Sequence, residues 1–233
     1  RHMPRQMRRI GVVQFFSWFA FFAMWSMATP ALTEHVFKAP APQAGAYDMA
    51  VPAEAAAFAA DNKAFQDAAD LVGVAMGWYG LSSMVVALLL AFYAARFVLN
   101  RRLVHGTALV VGGVGFLGMY AVESLWLLKL CFVGVGVAWA SILSMPYALL
   151  AGCLEEKRMG VFMGLFNMFI VLPQITAALV LGPVVREAFG NHAIYALMLS
   201  GASLLLAAAF VIRVRENPAL EPIPEPGGRA LRG

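Results

Sequence analysis

The sequence predicts an all-α membrane protein of six transmembrane helices, and three observations carry that prediction. Of its 233 residues 61% are hydrophobic and only 13% are charged, whereas an ordinary soluble domain carries about 25% charge. Apolar runs recur that are long enough to cross a bilayer, which takes roughly 20 residues rising about 1.5 Å each through a core about 30 Å thick. The basic residues, finally, gather on alternate connections between those runs.

The six spans are expected near residues 10–32, 71–98, 104–122, 125–150, 161–185 and 193–212. Each should be helical, because lipid offers no partner to unpaired backbone groups. Short alternating segments, the mark of a membrane β-barrel, are missing from the pattern. The first run is too long for a secretory leader, has no clear small-residue cleavage point and is followed by further spans. The chain begins at Arg1 and not at Met, so it is expected to be part of a longer one.

Charge sets the expected orientation. Thirteen of the seventeen Lys and Arg residues fall on one set of flanks: Arg1, Arg5, Arg8 and Arg9, then Arg96, Arg101 and Arg102, then Lys157 and Arg158, then Arg213, Arg215, Arg229 and Arg232. The opposite flanks hold only Lys38, Lys63 and Arg186, and Lys129 lies inside the fourth span. By the positive-inside rule the basic side is cytoplasmic. Both termini therefore belong inside, with the expected location a bacterial inner (plasma) membrane. The net charge of +4 is thus a matter of topology, and no nucleic-acid partner is expected.

The organisation read from the chain is a basic cytoplasmic segment at 1–9, a transmembrane domain at 10–215 and a Pro- and Gly-rich disordered tail at 216–233. The longest loop, 33–70, should be external. It carries six acids and only Lys38 and Lys63 in return; its first part reads as flexible or extended, and a short external helix is expected to start at Pro52 and lead into span two.

No catalytic constellation or metal-ligand set stands out. His2, His35, His105 and His192 look isolated, so neither enzyme activity nor a cofactor is expected. Cys131 and Cys153, 22 residues apart, would lie roughly 33 Å apart along one helix, too far for a bridge within it. Gly113-Val-Gly115-Phe-Leu-Gly118 matches a dinucleotide-binding pattern in letters only. Inside an apolar span its expected role is close helix packing, and Gly160 and Gly164 form a similar small-residue pair.

Polar residues within the bilayer are costly and so are candidates for function. They fall on spans one, two, four and five, while spans three and six are nearly all apolar in their middles. Gln14, Trp18, Phe21 and Trp25 share one helical face, as do Asn167 and Gln174, seven residues apart. Amides bond hydroxyl groups and aromatic rings pack on the apolar face of a sugar. The substrate-binding candidates are Gln14, Trp18, Trp25, Tyr79, Ser144, Asn167 and Gln174; the plainer role for such residues is structural hydrogen bonding and space filling. Lys129 is expected to snorkel, and Glu34 and His35 to be solvated or part of an external gate. Pro30, Pro146 and Pro173 should bend their helices.

Three stretches carry a family resemblance. They are Gln14-Phe-Phe-Ser-Trp-Phe-Ala-Phe-Phe-Ala-Met-Trp25, Met145-Pro-Tyr-Ala-Leu-Leu-Ala-Gly152, and Met159-Gly-Val-Phe-Met-Gly-Leu-Phe-Asn-Met-Phe-Ile-Val-Leu-Pro-Gln174. With them the chain resembles the C-terminal six-helix half of a major facilitator superfamily transporter, and within it the glycoside and sucrose or maltose symporter-like branch. The resemblance implies a pair of three-helix repeats, a missing N-terminal six-helix half, and a central cavity worked by alternating access. It implies a saccharide substrate and proton coupling. The family's basic cytoplasmic loop motif is degenerate at Arg96-Phe-Val-Leu-Asn100-Arg101-Arg102, where its acidic residue is missing, so no gating role is carried over. The alternative is a membrane scaffold or accessory protein without transport.

Overall fold

The computed structural model of the protein describes residues 3–152 and 159–215. Arg1, His2, Cys153, Lys157, Arg158 and the proposed tail at 216–233 lie outside the described residues. The elements are α1 (Arg5–His35), a 3-10 turn (Ala44–Ala46), α2 (Pro52–Ala94), α3 (Arg101–Gly118), α4 (Leu125–Ala151), α5 (Met159–Phe166), α6 (Met168–Glu187) and α7 (Ile194–Val211). There is no strand among the described residues.

Local chemistry sets the helix starts. Pro52 opens α2, where its missing N–H costs nothing. The Asn100 side chain accepts from the Leu103 N–H at 2.8 Å and caps α3, and Ser124 caps α4 in the same way. Inside the apolar runs, hydroxyls bond back to their own helix: Ser17 donates to the Val13 carbonyl at 2.9 Å and Ser200 to that of Ala196 at 3.0 Å. That satisfies them where water cannot.

The helices pack with an internal two-fold pattern. α1 lies along α7 as α4 lies along α3; α6 docks on α1 as α2 docks on α4; and α3 meets α7. Exchanging α1, α2 and α3 for α4, α6 and α7 reproduces these five pairings. This is the pair of three-helix repeats, with α3 and α7 joined at the back, α1 and α4 in the middle, and α2 and α6 at the flanks.

Glycine makes the back tight. A Cβ on Gly113 would lie 2.9 Å from the Leu205 side chain and 3.1 Å from the Gly201 carbonyl, and one on Gly115 would lie 2.7 Å from the Cys131 carbonyl. The G-x-G-x-x-G run is therefore a packing surface for α4 and α7, as expected of it. Gly136 does the same between α4 and α2, where a Cβ would overlap Ser82 Oγ and the Tyr79 carbonyl. Gly160 and Gly164 differ from the expectation. Nothing among the described residues lies within 4 Å of a Cβ on either, because α5 stands on an uncovered side of the bundle.

Several boundaries also differ. The short external helix and span two are one continuous α2 of 43 residues, about 64 Å long at 1.5 Å per residue. The Ala-rich stretch offers no breaker, so the helix runs unbroken into the apolar part. The loop before it is not loose: Tyr47 donates to Asp61 at 2.7 Å and packs edge-on against Phe58, and the Asp48 N–H donates to Glu54. The carboxylate of Asp61 raises the pKa of the Tyr47 phenol. Span three is displaced toward the N-terminus, at 101–118 where 104–122 is expected. α3 ends at Gly118 and the chain then turns. Five rods are long and apolar enough to cross a membrane by length and composition: α1, α2, α4, α5 with α6, and α7. α3, 18 residues beginning with Arg101 and Arg102, is not among them.

Both ends of the bundle are tied. At one, Gln6 Nε2 donates to the Arg215 carbonyl at 2.7 Å while the Arg215 N–H donates back to Gln6 Oε1 at 3.2 Å. Arg101 donates to the Ala148 carbonyl at 3.2 Å, near the electronegative C-terminus of α4. At the other end, His35 meets the Tyr120 carbonyl at 2.8 Å and stacks on the Tyr120 ring, and His192 lies 3.0 Å from Glu34. His35, Glu34 and His192 are therefore engaged in contacts at this end. The chain reversal of each hairpin brings these residues together from sequence positions 85 and 158 apart.

Candidate functional site

The face of α1 that begins at Gln14 turns into the bundle. Gln14 and Phe21 are fully buried and Trp18 is 9% exposed, whereas Trp25 is 39% exposed. The indoles of Trp18, Trp25 and Trp139 form a triangle across α1 and α4. Their ring centroids stand 6.3 Å (Trp18–Trp25), 5.3 Å (Trp18–Trp139) and 5.2 Å (Trp25–Trp139) apart, all edge to face. Phe21 lies 4.7 Å from Trp139 and 5.9 Å from Phe116 of α3, which anchors the triangle to the core. Edge-to-face pairs of this kind add about 0.5–1.5 kcal/mol each beyond their buried area.

Polarity within this wall is concentrated. Gln14 Oε1, Gln14 Nε2 and Trp18 Nε1 are buried with no hydrogen-bond partner among the described residues. An unsatisfied buried polar group costs about 1–3 kcal/mol, so three together are a local destabilisation that packing must outweigh.

A second polar pair joins α4 to the break between α5 and α6. Tyr147 Oη donates to Asn167 Oδ1 at 3.4 Å. Asn167 stays in helical geometry, its N–H donating to Met163 at 3.1 Å while its carbonyl accepts from Ile170 and Val171. The two helices thus act as one rod with a local irregularity, and Pro173 lies six residues on in α6. α6 is drawn onto α1 by Phe169, whose ring covers the place a Cβ would take on Gly11.

The remaining candidates stand apart from these two groups. Gln174 is half-buried on α6 and makes no hydrogen bond among the described residues. Tyr79 is half-buried on α2, its carbonyl accepting from Ser82. Ser144 donates to its own helix at Ala140, 2.7 Å away, which leaves its oxygen lone pairs as its further polar capacity. Trp139 and Tyr147 join the candidates: each lies in the middle or end of span four, but only the pairing of α4 with α1 and with Asn167 singles them out. Lys129, expected to snorkel, has its ammonium 4.5 Å from the Trp126 ring centroid and 5.9 Å from that of Trp78, in a cation–π setting between α2 and α4.

His105 was also missed as a partnered residue. It is 2% exposed at the α3–α4 contact, with Nδ1 2.8 Å from Ser141 Oγ and Nε2 unpartnered among the described residues.

Compared with known families, residues 10–232 match the profile of the Major Facilitator Superfamily. Among curated proteins none matches the chain.

Proposed function

Because the chain belongs to the Major Facilitator Superfamily, a family of membrane transporters, we propose that it is one six-helix half of a secondary active transporter that moves a saccharide by alternating access, coupled to protons. The observation that carries the substrate class is the wall of Trp18, Trp25 and Trp139 beside the unpartnered amide of Gln14. Flat aromatic surface and neutral hydrogen-bonding atoms suit a polyhydroxylated, uncharged solute. Gln14, Trp18, Trp25, Tyr79, Ser144, Asn167 and Gln174 are the proposed substrate contacts.

The need for a missing N-terminal half is supported by the flanks. Only 11% of the most apolar stretch of α2 and 22% of that of α5–α6 is buried, against 56% for α1. In this reading the partner half covers those two rods and closes the cavity. The working unit is the domain at 10–215, followed by a tail at 216–233. Orientation follows from charge: the segment at 1–9 and both termini are cytoplasmic and the acidic loop at 33–70 external, in a bacterial inner membrane.

The experiment is uptake of labelled mono- and disaccharides, across a range of external pH, by cells expressing the whole reading frame that contains this chain. Saturable saccharide uptake that rises with external acidity is the expected result. Uptake of a non-sugar solute alone would move the substrate class. No uptake of any solute by a surface-expressed protein would favour the scaffold or accessory role.

A further inference from the structure

A groove lies between the beginning of α1 and the end of α7, lined by Arg5, Arg8, Arg9, Val12, Phe210 and Arg213. Its α1 wall is a single stripe, since positions i, i+3, i+4 and i+7 share one helical face. Phe210, at the end of α7, and Arg213, in the turn just beyond it, form the opposite wall. The groove measures about 270 Å³, near the lower end of small-ligand pockets, which run about 300–1,000 Å³.

Its charge is one-signed. Like charges three and four positions apart on a helix repel, and Arg8 and Arg9 face Arg213 across the groove. Every Asp and Glu among the described residues lies toward the opposite side, on loops, helix ends or the first half of α2: Glu34, Asp48, Glu54, Asp61, Asp67, Asp70, Glu123 and Glu187. Arg5 is engaged in another interaction; the headgroup cations are Arg8, Arg9 and Arg213. The walls are held in place. The Arg213 guanidinium lies 5.0 Å over the Phe210 ring, Phe210 stacks on Phe16 at 5.7 Å, and Ser203 donates to the Phe16 carbonyl at 2.7 Å. The Gln6–Arg215 pair closes the same corner.

The apolar part of the groove gives the ligand its class. Val12 is 38% exposed, and Leu206, one turn further into the span from Phe210, is 49% exposed. A track of exposed apolar side chains thus leads from the guanidinium cluster along the spanning helices. Guanidinium forks match phosphate oxygens in geometry and charge, and basic pockets between spanning helices at the membrane surface suit anionic headgroups.

We propose that this groove binds the phosphate of an anionic phospholipid, with Arg8, Arg9 and Arg213 on the headgroup and Val12, Phe210 and Leu206 against the first part of an acyl chain. The proposal rests on the chain spanning a membrane and is independent of transport. A lipid held there clamps the first helix of one repeat to the last helix of the other.

The test uses the full chain in nanodiscs of phosphatidylcholine with a minor fraction of phosphatidylglycerol, with bound lipid read by native mass spectrometry. Wild type should retain phosphatidylglycerol in preference to phosphatidylcholine. Each basic residue at an anionic surface contributes roughly fivefold, so Arg8→Gln/Arg9→Gln/Arg213→Gln should lose at least about tenfold of that preference. The corresponding triple Lys variant, which keeps the charge, should lose less and guards against misfolding of the Gln variant. Arg96→Gln, on the same side but outside the groove, should bind as wild type. Equal losses in the groove variant and Arg96→Gln would reduce the effect to diffuse surface charge and overturn the site. Unchanged preference in both triple variants would overturn it too. Release of the lipid by millimolar inorganic phosphate would show that a small anion, and not a lipid, is the ligand.

Discussion

Gln14 and Trp18 stand one helical turn apart on the buried face of α1, and three of their polar atoms have no protein partner among the described residues. A structural role alone would favour an apolar residue at position 14. Gln14→Leu should therefore raise the melting temperature of the purified protein, removing a penalty of about 1–3 kcal/mol, while weakening saccharide affinity in the complete transporter. A destabilised variant with normal affinity would assign Gln14 to the packing of the fold.

Asn167 and Gln174 are uncharged, so each should contribute no more than a neutral hydrogen bond, about 0.5–1.5 kcal/mol. Asn167→Leu and Gln174→Leu are expected to raise the apparent Km for sugar roughly three- to tenfold and to leave the pH dependence of uptake in place. No Asp or Glu occupies the middle of a described span, so if uptake is proton-coupled as proposed, the main coupling acid is expected in the proposed partner half. Kinetics across external pH decide this. Lost pH dependence with normal affinity in these variants, or in His105→Gln, would place coupling machinery within this half.

Gly136 and Gly164 test the packing from opposite sides. Gly136→Val would drive a side chain into Ser82 and the Tyr79 carbonyl, an overpacking that typically costs about 1–3 kcal/mol. It should lower the melting temperature and loosen α2 from α4. Gly164 has nothing within 4 Å of a Cβ among the described residues. Gly164→Ala should stabilise this chain by about 0.5–1 kcal/mol through helix propensity. If the same substitution impairs the complete transporter, the proposed partner half packs on α5. Thermal unfolding of each variant, alone and in the complete protein, separates the two cases.

The orientation has its own test in single cysteines at Ala55 and Asn100, probed with an impermeant thiol reagent on intact cells. Position 55 should label and position 100 should not. Labelling of position 100 alone would invert the topology.

Much of this fold was legible because lipid restricts the alphabet of a spanning segment, so apolar length alone marks α1, α4 and α7 nearly to their ends. α2 was read as two helices since residues 52–70 are polar and Ala-rich and the rest is apolar; composition changes there, but nothing stops a helix. The close packing of Gly113 and Gly115 was readable from small-residue spacing. The same spacing at Gly160 and Gly164 misled, because spacing does not say whether a neighbour is present. On the candidate site, the shared face of Gln14, Trp18 and Trp25 follows from helical period. Their meeting with Trp139, the Tyr147–Asn167 pair and the partners of His105 and His192 depend on which helices touch, and a single sequence carries no such distance.

The most direct measurement is saccharide flux into proteoliposomes containing this chain alone or together with the proposed N-terminal six-helix half. One wall of the proposed cavity is lost when a half is absent. Saturable flux should therefore require both segments, and the chain alone should give none. Robust saturable flux from the chain alone would make it a self-sufficient homodimer, and the absence of flux from the correctly folded pair would remove the transporter reading for sugars.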